Sequence, residues 1–348
     1  MSPTGEDRSP EFKSRLSAAQ VFASLDQERG SDPWLQTGAP TEPGRSDNSV
    51  ERRGPRLIGI VSAVPDLPQA MHPFFGPVLS GIKARLVQER CDLFVPTYNP
   101  LSPMGEDPRA IERCFAYGTS GLIVMGVDTT RPDFAPLLES GHPIVLVDSQ
   151  AIGGRVGYVM SDNIEGAASA VRHLHKLGRR RIATITGLMP TLAAGDRLFG
   201  YRSELSRLGL EQRPEYVVEG DYYHGSGYER TKELLGLAEP PDAIVTASDM
   251  MAVGAIVAIE EAGLLVPEDI AVVGFDDSPF AAGMSPSLTT VRQDALGLGM
   301  AAADSVLAIL DNPDDAPPAV IFPTELIIRE SCGIELPSSV AAGKRTAG

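Results

Sequence analysis

The stretch Asp242-Ala-Ile-Val-Thr-Ala-Ser248, followed by Asp249 to Pro267 and then Ile270-Ala-Val-Val-Gly-Phe275-Asp276-Asp277, decides how the whole chain is read. Its first seven residues are an apolar, β-branched run of strand length. Good helix formers with an apolar face fill Met250 to Glu261. Asp249 is placed to cap this helix, and Gly263 and Pro267 stop it. The second run is apolar throughout, which suits a parallel strand covered on both faces. It delivers Asp276 and Asp277 to the carboxyl end of that strand, where open parallel sheets bind small polar ligands. Asp276 is therefore expected to contact a ligand. For Asp277, ligand contact and the capping of a turn with Ser278-Pro279 stand equal.

Outward from this stretch the same pattern repeats. Strands are expected at Leu57 to Val61, Asp92 to Val95, Gly121 to Met125 and Pro143 to Val147, with helices at Phe74 to Glu89, Asp107 to Tyr117 and Phe134 to Ser140. After Tyr158 to Met160 the alternation restarts. Helices fall at Ile164 to Leu177, Asp196 to Leu208 and Ser226 to Leu237, and strands at Arg181 to Thr186 and Tyr216 to Glu219. A further helix, Ala295 to Leu310, precedes a closing strand, Ala319 to Ile328. Such alternation predicts an α/β fold of two doubly wound parallel-sheet lobes. The expected partition is 57–160 with 292–320 for the first lobe and 161–291 with 321–333 for the second. Crossings near Val291 and Ile321 then make a hinge of several strands.

Residues 1–56 mix Pro, Ser and Gly with nearly balanced charge, a composition for a poorly ordered arm. One helix is expected inside it, from Ser17 onward, with Ala18, Val21, Phe22 and Leu25 on one face. Residues 334–348 read as a disordered tail.

With 348 residues and a net charge of −16, the chain repels DNA as a whole, so any nucleic-acid contact has to come from a small basic element. Cys91, Cys114 and Cys332 are odd in number and lack metal-ligand spacing, which fits reduced thiols and a cytoplasmic location. No membrane span or export signal is read. No nucleophile elbow, Walker loop or metal-ligand cluster appears, and His173 and His175 fit a helix surface, so neither catalysis nor a cofactor is expected.

The ordered motifs resemble the LacI/GalR family of bacterial regulators, in its effector-binding core related to type I periplasmic sugar-binding proteins. They are Pro73-Phe74-Phe75 with Gly81-Ile82, Ser161-Asp162-Asn163 with Gly166, Leu177 to Ile182, Arg197 with Gly200-Tyr201, Ala247-Ser248-Asp249, Val266 to Asp269, Gly274 to Asp277, Leu288 to Val291 and Arg329-Glu330-Ser331. Arg179 stands where that family usually has histidine, and Ser248 where asparagine is common.

The resemblance implies a sugar or similar effector between the lobes. Phe74 and Phe75 would form an aromatic wall that Tyr222 closes, Arg197 would donate hydrogen bonds, and Asp162 and Asp276 would accept them. Ser248 belongs to the same set. Core packing for the two phenylalanines, an ion pair for Arg197 and an N-cap for Asp162 stay open as alternatives.

The resemblance also implies a homodimer. The family's basic helix-turn-helix is not seen in residues 1–56, where Arg52, Arg53 and Arg56 fit a phosphate contact or a solvated linker. The leading expectation is a sugar-responsive transcriptional regulator that binds duplex DNA poorly as given. The alternative is a stand-alone sugar sensor acting on a partner other than DNA.

Overall fold

The computed structural model describes residues 56–62, 72–96, 109–127, 134–151, 154–189 and 191–333. The helix expected from Ser17, most of the arm and the carboxyl-terminal tail lie outside them.

Two six-stranded sheets carry the chain. The first contains β1 (Leu57–Ser62), β2 (Asp92–Phe94), β3 (Gly121–Met125), β4 (Ile144–Val147), β5 (Val156–Ser161) and β11 (Ala319–Phe322), in the order β11-β5-β4-β3-β1-β2. The second contains β6 (Ile182–Thr186), β7 (Val217–Glu219), β8 (Ala243–Thr246), β9 (Ala271–Asp276), β10 (Thr289–Arg292) and β12 (Glu325–Ile327), in the order β12-β10-β9-β8-β6-β7. All pairings are parallel except β10 with β12. Every residue of β3, β4 and β8 is buried, which accounts for runs that are apolar without alternation.

The helices are α1 (Phe75–Gln88), α2 (Arg109–Ala116), α3 (Ala135–Glu139), α4 (Asn163–Lys176), α5 (Leu192–Leu208), α6 (His224–Leu235), α7 (Asp249–Glu261) and α8 (Ala295–Asp311). In the first lobe α1 lies against α8, and Ile82, Val78, Leu298 and Ala302 join the core over Ile60 and Val145. The backbones touch there. A Cβ on Gly81 would stand 2.1 Å from the Leu296 carbonyl oxygen, and one on Gly299 2.0 Å from that of Val78. The second lobe repeats the device where α6 meets α7. A methyl group at any of these positions would push two helices apart.

The chain passes between the sheets at three places, after β5, between β10 and α8, and between β11 and β12. The segment expected as one strand over Ala319 to Ile328 is thus two strands in different sheets. Ile321 and Phe322 still pair with Met160 and Ser161 of the first sheet. Pro323 has no N–H to continue the ladder, and the chain turns there toward β10. The crossings are tied together: Asp162 N–H donates to the Phe322 carbonyl at 2.8 Å, and Thr324 Oγ1 to the Asp162 carbonyl at 3.3 Å.

Three local expectations change. Ser248, in extended backbone, caps α7 by accepting from Met251 N–H, because Asp249 is already helical and fully buried. Helix α5 begins at Leu192, a turn before Asp196, with Thr191 as its cap residue. His173 is buried, its Nε2 3.2 Å from Cys332 Sγ, where a helix surface was expected. The face of α4 that packs on β10 and β12 sets this, and 159 residues separate the pair in sequence.

Candidate functional site

In each parallel sheet the carboxyl ends of the strands open toward the hinge, and polar side chains collect on the loops that leave them. From β4 comes Asp148, at a positive φ of 58°. From β9 comes Asp276, at φ 120°, followed by Asp277 at 54°. A non-glycine residue holds such a conformation only where its surroundings fix it, and here two successive aspartates do so at the crevice.

Arg197 of α5 is the central cation. It is 7% exposed and lies over the Phe275 ring, with the guanidinium carbon 3.8 Å from the centroid. Its Nε donates to Asn163 Oδ1 at 2.8 Å, and its Nη1 donates to the Ala247 carbonyl. Burial raises the pKa of Asp276 to about 7, an effect that the positive charge of Arg197 and a 2.8 Å bond from Gln293 Nε2 only partly offset. Asp148 is likewise pushed up by burial and drawn back by Arg197.

Asp249 lies behind Asp276 and is raised further. Burial is the main cause and the Asp276 charge the next, despite bonds from Thr290 Oγ1 at 2.5 Å and Ser278 N–H at 2.6 Å. Burial thus favours the protonated form of its carboxyl.

Several buried polar atoms around this cluster have no protein partner: Asp148 Oδ1, Ser161 Oγ, Asn163 Nδ2 and Gln293 Oε1. Asn163 sits close enough to Asp148 to favour its ionised form, at a geometry short of a proper hydrogen bond. Unsatisfied groups of this kind are rare in folded proteins and usually mark where water or a ligand belongs.

Tyr222 has φ 72°, and its ring covers Gly187, where a Cβ would stand 2.0 Å from Cζ. Its hydroxyl meets Thr191 Oγ1 at 3.0 Å, and burial pushes its pKa up to about 12. Ser248 Oγ donates to the Tyr222 carbonyl at 2.8 Å while serving as the α7 cap, so its hydroxyl is already committed.

Phe74 and Phe75 are both buried in the first-lobe core, 4.9 Å apart edge to face. Phe75 reaches Gly126, just past the end of β3, and stands 5.1 Å from the His72 ring. Asp162 caps α4, accepting from Glu165 N–H at 3.0 Å. Asp277 binds Arg292 Nε at 2.7 Å and Arg329 Nη2 at 2.6 Å. Its carboxylate thus brackets β9, β10 and the end of β12, an ion-paired role that neither the ligand-contact nor the turn-cap reading anticipated.

Sequence reasoning missed His72, Asp148, Asn163 and Gln293. Asp148 follows a buried strand by the same rule that singled out Asp276. His72 accepts through Nδ1 from the N–H groups of Phe74 and Phe75, both at 3.2 Å. Its ring meets Tyr223 of the opposite lobe edge-on at 6.2 Å, and burial lowers its pKa to about 4.

Among the described residues no helix is long and apolar enough to cross a membrane, and no group of three His, Cys, Asp or Glu side chains is placed to hold a metal.

Residues 171–332 match the family model described as a periplasmic binding protein-like domain. The HTH-type transcriptional regulator CelR of Thermobifida fusca is 30% identical over 301 residues, which is 83% of this chain and 85% of CelR. The ribose operon repressor of Escherichia coli is 30% identical over 70% of this chain and 73% of its own length. Among solved structures, a CelR–cellobiose complex aligns at a TM-score of 0.70 and 30% identity, over 80% of this chain and 85% of that one. A LacI regulator from Bacillus cereus aligns at 0.75 and 26%, over 81% and 100%. The two parallel-sheet lobes, the strand-end crevice and these relatives agree: the chain belongs to the LacI family of transcriptional regulators.

Proposed function

We propose that this regulator is controlled by a sugar bound in the crevice between its lobes, and that it acts on DNA as a homodimer. The observation that carries the reading is the set of buried, partnerless polar atoms around Arg197, Asp148 and Asp276. Sugar hydroxyls both donate and accept, so a polyol can satisfy carboxylates, an amide and a guanidinium in one small volume. Arg197, Asp276, Asp148, Asn163 and Gln293 are the polar contacts in this reading. Phe75 and Tyr222 give the apolar walls.

Asp162 and Ser248 shape the crevice through the helices they cap, and Phe74 supports Phe75 from the core. The cellobiose in the CelR complex and the name of the ribose operon repressor favour a sugar over other polar ligands. Closing the lobes around it would alter how a dimer presents its DNA-reading elements.

A thermal-shift screen with D-ribose, D-glucose, D-galactose and cellobiose tests the ligand class, since a molecule that binds only the folded state raises the melting temperature with concentration. A shift with nucleobases or sugar phosphates and none with these sugars would remove the sugar reading. Gel-shift titration against DNA flanking its gene, with and without the active sugar at about 0.1 M salt, tests the DNA arm. Light scattering at tens of micromolar tests the dimer.

A further inference from the structure

The crevice gathers more acidic than basic side chains. Asp148, Asp196 and Asp276 all feel Arg197, and among the described residues it is the cation that acts on all three. Asp196 is half-buried beside Asp162, which adds to the negative side. Asp249 adds a hydrogen-bonded acid directly behind Asp276.

Arg197 is also less available than its charge suggests. Nε is committed to Asn163 and one hydrogen of Nη1 to the Ala247 carbonyl, which leaves Nη2 and the second Nη1 hydrogen for a ligand. The side-on fork through Nε is thereby closed to a carboxylate or phosphate. Meanwhile the acceptors Asp148 Oδ1 and Gln293 Oε1 are buried without partners. With Asn163 Nδ2 an unpartnered donor beside them, the vacancy takes a ligand that donates more than it accepts, among acidic side chains that favour positive charge.

We propose that the crevice selects its effector by charge, preferring a sugar that carries a protonated amine to the parent neutral sugar and rejecting the corresponding acid sugar. This rests on the sugar reading above and deepens it. An ammonium group offers three donors and no acceptor, and it relieves the repulsion between Asp148 and Asp276 when both are ionised. A uronate would bring a further carboxylate among Asp148, Asp196 and Asp276, with Arg197 the one cation among the described residues that acts on all of them. A neutral sugar still binds, through hydroxyl donors alone.

The test is calorimetric titration at pH 7 and 0.1 M salt with matched sets: D-glucose, D-glucosamine and D-glucuronate, and the same three forms in the galacto and manno series. In the series that binds, the amino sugar should be tighter than the neutral sugar by about tenfold, the difference between a charge-assisted and a neutral hydrogen bond. The acid sugar should be weaker than the neutral one by at least about tenfold, as like charges at a binding site require. Asp148→Asn keeps the shape and removes one charge, so it should narrow both gaps. Asp196→Asn, at a half-buried position, supplies the same test should Asp148→Asn fail to fold. A uronate that matches the neutral sugar, or gaps unchanged in both variants, overturns the charge selection and leaves the sugar reading intact. Nine sugars without heat or thermal shift would overturn the sugar reading itself, and this inference falls with it.

Discussion

The two faces of the crevice are built by the same alternation of strand and helix, yet they treat charge differently. The first lobe presents His72 on the aromatic pair Phe74 and Phe75, with Asp148 just past the end of β4. The second presents a connected network in which Arg197, Asn163, Asp276, Gln293, Asp249, Thr290 and Ser278 join through strands β8, β9 and β10. Ligand-ready groups are those with unmet partners. Asp249 has donors on both oxygens, Asp276 accepts from Gln293 on one, and Asp148 Oδ1 has none. The more deeply placed a carboxylate is, the more completely the protein satisfies it, which leaves capacity at the crevice surface for a ligand.

Removing the cation that links the two faces should have the largest effect. Arg197→Ala strands Asn163 Oδ1 and the Ala247 carbonyl and leaves Asp148 and Asp276 unopposed, so stability should fall by about 3–5 kcal/mol and sugar binding should be lost. Urea denaturation measures it. A loss no greater than that of His72→Ala would break the claim that the second lobe holds the connected network.

The packing of the first lobe should come next. Gly81→Val forces α1 away from α8 and should cost about 1–3 kcal/mol, read as a lower melting temperature. Tight sugar binding retained in that variant would show that the crevice tolerates a shifted α1.

Ser248→Ala removes the α7 cap and the donor to Tyr222, and should cost about 1 kcal/mol by the same measurement. Its effect on sugar affinity should be small, because the hydroxyl is already committed. A loss of affinity well beyond the loss of stability would place Ser248 in contact with the ligand.

The smallest effect concerns pH, because His72 and Asp276 oppose each other. Asp276, with a folded pKa near 7 against an unfolded value near 3.9, holds its proton longer in the folded state, so it makes stability fall as pH rises between about 4 and 7. His72, with a folded pKa near 4 against about 6.5 unfolded, does the reverse: stability falls as pH drops from about 6.5 to 4. These two contributions therefore nearly cancel over the shared window, and each variant is read against the wild-type profile. Asp276→Asn should make it less stable on acidification, and His72→Asn, which keeps an acceptor for the Phe74 and Phe75 amides, should make it more stable. Identical pH profiles for the two variants would refute the opposition.

Much of this fold was legible in short runs of residues. The apolar stretches at Gly121 to Met125 and Ile270 to Phe275 are the strands they resemble, Gly209 ends α5 in a left-handed conformation, and the order of motifs anticipated the family. The strand-end rule reached Asp276. It would have reached Asp148 had it been applied to every buried strand.

Only the tertiary structure decided which polar residue faces which. Arg197 over Phe275, Asp277 between Arg292 and Arg329, His173 against Cys332 and the change of sheet at Pro323 join positions far apart in sequence. Periodicity reports the face a residue occupies, because that follows from local backbone geometry. Whether a buried charge is left for a ligand depends on distant donors, and a single sequence carries no local mark of them.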